Sequence, residues 1–189
     1  MTKSKEFEMT MQVVTDAHRI IRRFHKNLAD LFRTISIMLE EATPSYESLY
    51  DDLLITLPSG KLSKSERWLL RHFGMAFHAE PDDPFLLFNV SLDTQFNDKP
   101  ELWLGIIHDL KIKTAESYPW EDSIEAIYND YFAPEEKWRE IQTWYQDLIE
   151  DDQYSAKMQF CRVPLYLLDG IEAIENNIYD KIFNQIKTL

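Results

Sequence analysis

The sequence predicts an α+β protein, helix-dominated, with a long N-terminal helix and a small, mainly antiparallel sheet. Three observations lead there. Apolar residues recur at helical spacing from residue 7 to residue 39, two short apolar runs at 85–92 and 102–107 are bounded by turn formers, and isoleucines form a helical stripe near the end of the chain. Glycine argues against a doubly wound sheet, because only four occur and they lie at least fourteen residues apart.

The first element is the most regular. Phe7, Met11, Val14, His18, Ile21, His25, Leu28, Phe32, Ile35 and Leu39 alternate at intervals of four and three, the repeat of a helical seam. Val13, Ala17, Ile20, Phe24, Leu31 and Met38 widen the face beyond what a two-stranded coiled coil needs, so packing in a bundle or on a sheet is expected. The helix is expected over residues 7–42, stopped by Thr43-Pro44. Straight, such a helix is roughly 52 Å long, against a diameter of about 40 Å for a compact chain of this size. It therefore bends, breaks or projects. If it projects, the simplest partner for the seam at His18, Ile21, His25, Leu28 and Phe32 is the same helix of a second subunit.

Residues 44–62 read as a connector, with a turn at Pro58-Ser59-Gly60 and a short apolar piece at 53–57. Ser63-Lys64-Ser65-Glu66 has the form of a capping box, and Trp68, Leu69, His72, Phe73, Ala76 and Phe77 follow at helical spacing. Gly74 leaves a strand open there, and Pro81 and Pro84 end the element either way. Residues 85–92 and 102–107 are expected as two buried strands joined as a hairpin across 93–99. Two helices follow, one carrying Ile124, Ile127, Tyr128 and Tyr131, the next Trp138, Ile141, Tyr145 and Leu148. Residues 158–168 are strand-like, and Pro164 assigns them to an edge or a bulge. Gly170 opens the last helix, with Ile171, Ile174, Ile178, Ile182 and Ile186 as its stripe. No repeat or linker divides residues 1–189, which read as a single domain.

Composition narrows function mainly by exclusion. Isolated glycines leave no phosphate-cradling loop, dinucleotide fingerprint or nucleophile elbow. Cys161 is the only cysteine, which excludes an intrachain disulfide and a CxxC pair and favours a reducing, cytoplasmic setting. No run approaches the eighteen apolar residues of a membrane span. The formal charge of −13 disfavours nucleic acid as a general partner. That charge is uneven: residues 1–40 hold seven Lys/Arg and five Asp/Glu, whereas residues 121–152 hold eleven acids against Lys137 and Arg139. The basic residues Arg19, Lys26 and Arg33 repeat beside the seam and are expected to dock against the acidic body, within the chain or across a dimer.

Two sets of residues carry functional expectations. Trp120, Trp138 and Trp144 lie in or beside the acidic segment that ends in Glu150, Asp151 and Asp152, a mixture suited to a basic protein partner. Those last acids would stand at the C-terminus of a helix, where the macrodipole disfavours them, so local stability does not explain them. The expectation is a non-enzymatic interaction or regulatory protein, homo-oligomeric through the N-terminal helix, needing no cofactor. The alternative rests on Asp109 and Lys111, which end an apolar strand and resemble the second half of the PD-(D/E)xK nuclease pattern, with Asp82 or Asp93 as first acid. That resemblance implies two carboxylates holding Mg2+ and a lysine orienting the attacking water. A second such triplet, Glu135-Glu136-Lys137, falls where a helix start would use it.

Overall fold

The computed structural model describes residues 3–49, 54–55, 72–80, 83–92, 99–113, 142–150, 152 and 154–189. The turn at Pro58-Ser59-Gly60, the capping box at 63–66, the hairpin turn at 93–98 and the helix carrying Ile124 to Tyr131 lie outside these residues. The chain forms two compact units, Met1–Ile37 and Met38–Leu189.

Helix α1 (Lys3–Glu40) makes up the first unit and runs into the second, close to the span its seam predicts. Two arginines of its basic edge find partners on the helix itself. Arg19 pairs with Asp16 at 3.1 Å and Arg33 with Asp30 at 3.2 Å, both one turn apart and exposed. These pairs follow from helix geometry, because positions three apart on a helix are neighbours.

The second unit is built on a wholly antiparallel sheet. Its strands are β1 (Glu47–Ser48), β2 (Leu54–Ile55), β3 (His72–His78), β4 (Phe85–Ser91), β5 (Glu101–Ile112), β6 (Tyr145–Glu150) and β7 (Tyr154–Pro164). Their order is β1-β3-β4-β5-β7-β6, with β2 also pairing β3. The α+β class with a long N-terminal helix holds, and the sheet is larger than expected. Strands β4 and β5 are the predicted hairpin, paired from Phe85↔Ile107 to Ser91↔Glu101.

Three elements differ from the sequence reading. Residues 72–78 form a strand rather than a helix, with Phe73↔Val90 and Phe77↔Leu86 in register on β4. A long-range ladder outweighs a short helical pattern already weakened by Gly74. Tyr145 and Leu148 likewise belong to strand β6 rather than a helix. Period two wins there: Ile149 is buried and pairs with Ala156, while Leu148 is 63% exposed. Strand β7 is interior, between β5 and β6, rather than at an edge. Pro164 is tolerated because it is the last residue of the strand, opposite Glu101.

Both faces of the central strands are buried. One face carries Ala76, Leu87, Trp103, Ile107, Ile149, Tyr154, Ala156, Met158 and Phe160 as a continuous cluster. The other carries Leu86, Phe88, Leu104, Ile106 and Cys161, all fully buried. The C-terminal helix lies on this second face, where Gln185 Nε2 donates to Gln159 Oε1 at 2.9 Å. Burial pushes the Cys161 thiol pKa up to about 11, so it is a packed side chain rather than a nucleophile.

The C-terminal helix consists of α2 (Ile171–Ile174), a π-helical turn at Glu175–Tyr179 and α3 (Asp180–Ile186). Gly170 opens it at φ 94°, a left-handed conformation that suits glycine. The isoleucine spacing explains the π turn. After Ile174 the stripe advances by four residues each time, which on a helix of 3.6 residues per turn drifts about 40° per step. One wider turn takes up part of that drift, and Ile174, Ile178 and Ile182 all stay buried. Among the described residues no helix is long and apolar enough to cross a membrane.

Candidate functional site

The seam of α1 divides into two parts. Leu28, Phe32 and Ile35 are buried, at 5%, 2% and 1% exposure. Toward the N-terminus the same seam is open: Phe7, Val14 and Ile21 are 66%, 54% and 45% exposed, Met11 and His18 are exposed, and His25 is half-buried. Val13 and Ile20 beside it are exposed as well. Scattered apolar residues are ordinary on a surface; here they recur over several turns of one helix face. Of the residues expected to associate, His18 and Ile21 lie in the open part, His25 at its border, and Leu28 and Phe32 beyond it.

The corner around Asp109 is built by a bulge in β5. Pairing with β7 runs His108↔Lys157 and then Lys111↔Ser155, so Asp109 and Leu110 stand opposite one residue. Asp109 takes φ 55°, which aspartate tolerates better than most side chains. Leu110 packs against the apolar cluster. The Asp109 carboxylate accepts from Lys157 Nζ at 2.6 Å and lies 3.6 Å from His108 Nδ1. Lys157 holds the Asp109 pKa below the usual carboxylate range, with smaller help from His108 and Lys111. Burial lowers the His108 pKa, Asp109 works against that, and Lys157 adds to it.

His108 and Lys157, with Gln146, Leu148 and Gln159, border an open groove of about 540 Å³. Lys111 lies within weak electrostatic reach of Asp109, across the bulge. Asp82 and Asp93, the two choices for the first acid of the nuclease-like pattern, lie outside the described residues. Among the described residues no group of three or more His, Cys, Asp or Glu side chains is placed to hold a metal. Chemically, the corner offers a neutral imidazole beside a carboxylate already bound to an ammonium group. A cation ligated by Asp109 would compete with the Lys157 ammonium for the same carboxylate.

The pH behaviour of this corner follows from the two shifts. A carboxyl pKa below its unfolded value favours the fold above the carboxylate range, and that contribution is lost as pH falls through the folded pKa. A histidine pKa lowered by burial has the same sign, its contribution disappearing as pH falls below the ordinary imidazole value. Asp109→Asn removes the group that raises the His108 pKa and releases Lys157. The His108 ring is therefore expected to titrate at still lower pH in the variant, as followed by NMR of its ring protons. An unchanged or higher value would contradict this arrangement.

One polar constellation escapes sequence inspection. Asn89, Ser91, Glu101 and Arg162 are all buried, and the ladder places them on one sheet face: Asn89 opposite Trp103, Trp103 opposite Arg162, and Ser91 opposite Glu101. Arg162 Nε donates to Glu101 Oε2 at 2.7 Å, and its guanidinium lies 5.5 Å from the centre of the Trp103 ring. A buried, hydrogen-bonded ion pair of this kind fixes which residues meet across strands. No sequence signal brings Glu101 and Arg162 together, because they are 61 positions apart and neither belongs to a motif.

Only the end of the acidic segment falls among the described residues. Glu150 ends strand β6, not a helix, and pairs with Lys113 at 2.8 Å, so the expected conflict with a helix dipole does not arise. Trp144 is half-buried and Asp152 exposed, while Trp120, Trp138 and Asp151 lie outside the described residues. Comparison with protein-family models, with curated proteins and with solved structures finds no significant match to this chain.

Proposed function

We propose that this chain is a protein–protein interaction module that self-associates through the open part of the α1 seam. The observation that carries this reading is the row Phe7, Met11, Val14, His18 and Ile21, exposed along the same helix face that is buried from Leu28 onward. Burying an apolar side chain of this size contributes about 1.5–3 kcal/mol, so a handful per copy is comparable to the cost of association. A second copy of the seam presents the same repeat at the same spacing, which supports a homo-oligomer. The acidic segment supports a basic partner more weakly, since Glu150 is already engaged by Lys113.

Sedimentation over a range of concentrations tests the reading. The wild-type chain is expected to form a dimer, and Ile21→Glu to shift it toward monomer by at least a hundredfold in dissociation constant. Ile21 suits this test better than Leu28, whose burial within one chain would confuse loss of association with loss of fold. A wild-type monomer at high concentration would defeat the proposal.

Asp109 favours a second reading, because it stands at a bulge within electrostatic reach of His108 and Lys111, beside two residues, His108 and Lys157, that border a groove. In that reading the corner hydrolyses phosphodiesters with Mg2+. The assay is cleavage of a generic nucleic acid with and without magnesium. Activity lost in Asp109→Ala supports it, and no cleavage by the wild-type chain removes it.

A further inference from the structure

We infer that α1 also lies flat on anionic lipid surfaces, its open apolar half immersed in one leaflet and its cations at the level of the headgroups. This goes beyond the self-association proposed above and does not depend on it, because the occupant is a bilayer rather than a second copy. At about 100° per residue, the positions from Ile20 and Val13 through Phe24, Ile21 and Val14 to Met11 fill one half of the helix, an arc of roughly 180°. No Lys, Arg, Asp or Glu between residues 7 and 27 falls in that half. The opposite half carries Arg19, Arg22, Arg23 and Lys26, all exposed, together with Asp16, which is paired with Arg19.

The width of the apolar half separates a bilayer from a second helix. Phe7, Met11, Val14, His18 and Ile21 suffice for a two-stranded seam, and Val13 and Ile20 stand about a third of a turn from its centre. Those two side chains are 68% and 70% exposed. A two-stranded pair leaves them in water, whereas a flat apolar medium takes the entire half-cylinder.

Charge selects the kind of lipid. Residues 1–27 hold six Lys/Arg against three Asp/Glu, while the rest of the chain holds 14 against 30. The basic excess therefore sits on the same stretch of helix as the open apolar half. Arg22 follows Met11 round the helix and Arg23 stands toward the Ile20 side, so each flank of the immersed half presents a cation to lipid phosphates. Their aliphatic stems can rest on the apolar layer while the guanidinium groups stay in water. Repulsion between the acidic remainder of the chain and the same lipids is screened beyond about 8 Å in physiological salt. Nucleic acid would use the cations and leave the apolar half in water, so a lipid surface fits the helix better. Since no described helix is long and apolar enough to cross a membrane, the contact is with the surface.

Flotation of the full-length chain with lipid vesicles tests the inference. The wild-type protein is expected to float with vesicles of phosphatidylcholine and phosphatidylglycerol in equal parts. Binding to phosphatidylcholine alone should be at least tenfold weaker, and affinity for the mixed vesicles should fall as salt is raised. Arg22→Gln combined with Arg23→Gln should lower binding to the mixed vesicles at least tenfold, since each cation near an anionic surface contributes roughly fivefold. Ile20→Glu should lower it by a similar factor and leave the dimer seen in sedimentation unchanged, because Ile20 stands outside the seam. Its exposure keeps this change from disturbing the fold.

No flotation of the wild-type chain with the mixed vesicles would overturn the lipid inference and leave self-association standing. Flotation undiminished by Ile20→Glu would overturn it as well, since the basic half would then be binding the vesicles as it would any polyanion. Equal binding to both vesicle compositions would overturn the assignment to anionic lipid. A chain that floats with the mixed vesicles, loses this in Ile20→Glu and sediments as a monomer would defeat the dimer and leave the bilayer as the occupant of the seam.

Discussion

Glu101→Ala is expected to destabilise the protein by about 3–5 kcal/mol, because it leaves the Arg162 guanidinium buried without its carboxylate. Both side chains are 5% exposed and joined at 2.7 Å, so water cannot replace the lost partner without opening the sheet. For a chain of this length the melting temperature should fall by on the order of 10 °C. The control is the double replacement Glu101→Leu with Arg162→Met, which removes both charges and keeps apolar volume. It should cost far less than either single change, and it can be neutral, because desolvating two charges offsets most of their attraction. If Glu101→Ala and the double variant melt alike, the pair is not acting as a buried ion pair. Thermal melts of the three proteins decide the matter.

The parts of the fold that were legible in the sequence are those whose pattern is long or unambiguous. Helix α1 could be read because its seam repeats through ten positions, and β4 and β5 because each is a short apolar run between turn formers. Strands β3 and β6 were not legible, for a shared physical reason. In residues 68–77 the apolar positions fit a helix about as well as a strand, and the deciding factor is the ladder to β4, which no local window contains. In β6 the residues Tyr145 and Leu148 continue a helical spacing from Trp138, while Tyr145, Asp147 and Ile149 share the sheet face that carries the apolar cluster. Partner strand and burial select the second pattern. Pro164 misleads in a different way: proline excludes a residue from the middle of a ladder, not a strand from the middle of a sheet.

Site residues show the same division between local and non-local information. A spacing of two residues on a strand made the neighbourhood of Asp109 and Lys111 visible, but the partner that actually binds Asp109 is Lys157, supplied by β7 across a bulge. Nothing in residues 106–111 announces that bulge. The seam of α1 is uniform in sequence, so the change from open to covered near His25 could not be located there. Glu101 and Arg162 are the extreme case, two ordinary charged residues that meet only when strands β5 and β7 are paired.

Phe160→Ala is expected to cost about 3–5 kcal/mol, among the largest losses available to a single substitution in this sheet. Phe160 is fully buried on β7 and lies between two aromatic rings contributed by its neighbouring strands. The Trp103 ring of β5 stacks on one side, 6.3 Å away at 12°, and the Tyr145 ring of β6 on the other, 5.6 Å away at 17°. Alanine would therefore remove two stacking contacts and leave a cavity bordered by side chains of three strands. The two sides should respond unequally. Strand β5 is held by pairing on both edges, whereas β6 is paired only to β7 among the described residues, so amide exchange should accelerate in β6 well before β5. Phe160→Leu, which keeps most of the volume, should retain at least half of the lost stability. Uniform acceleration across β5, β6 and β7 would mean that the aromatic stack supports the sheet as one cooperative unit and does not anchor β6 in particular.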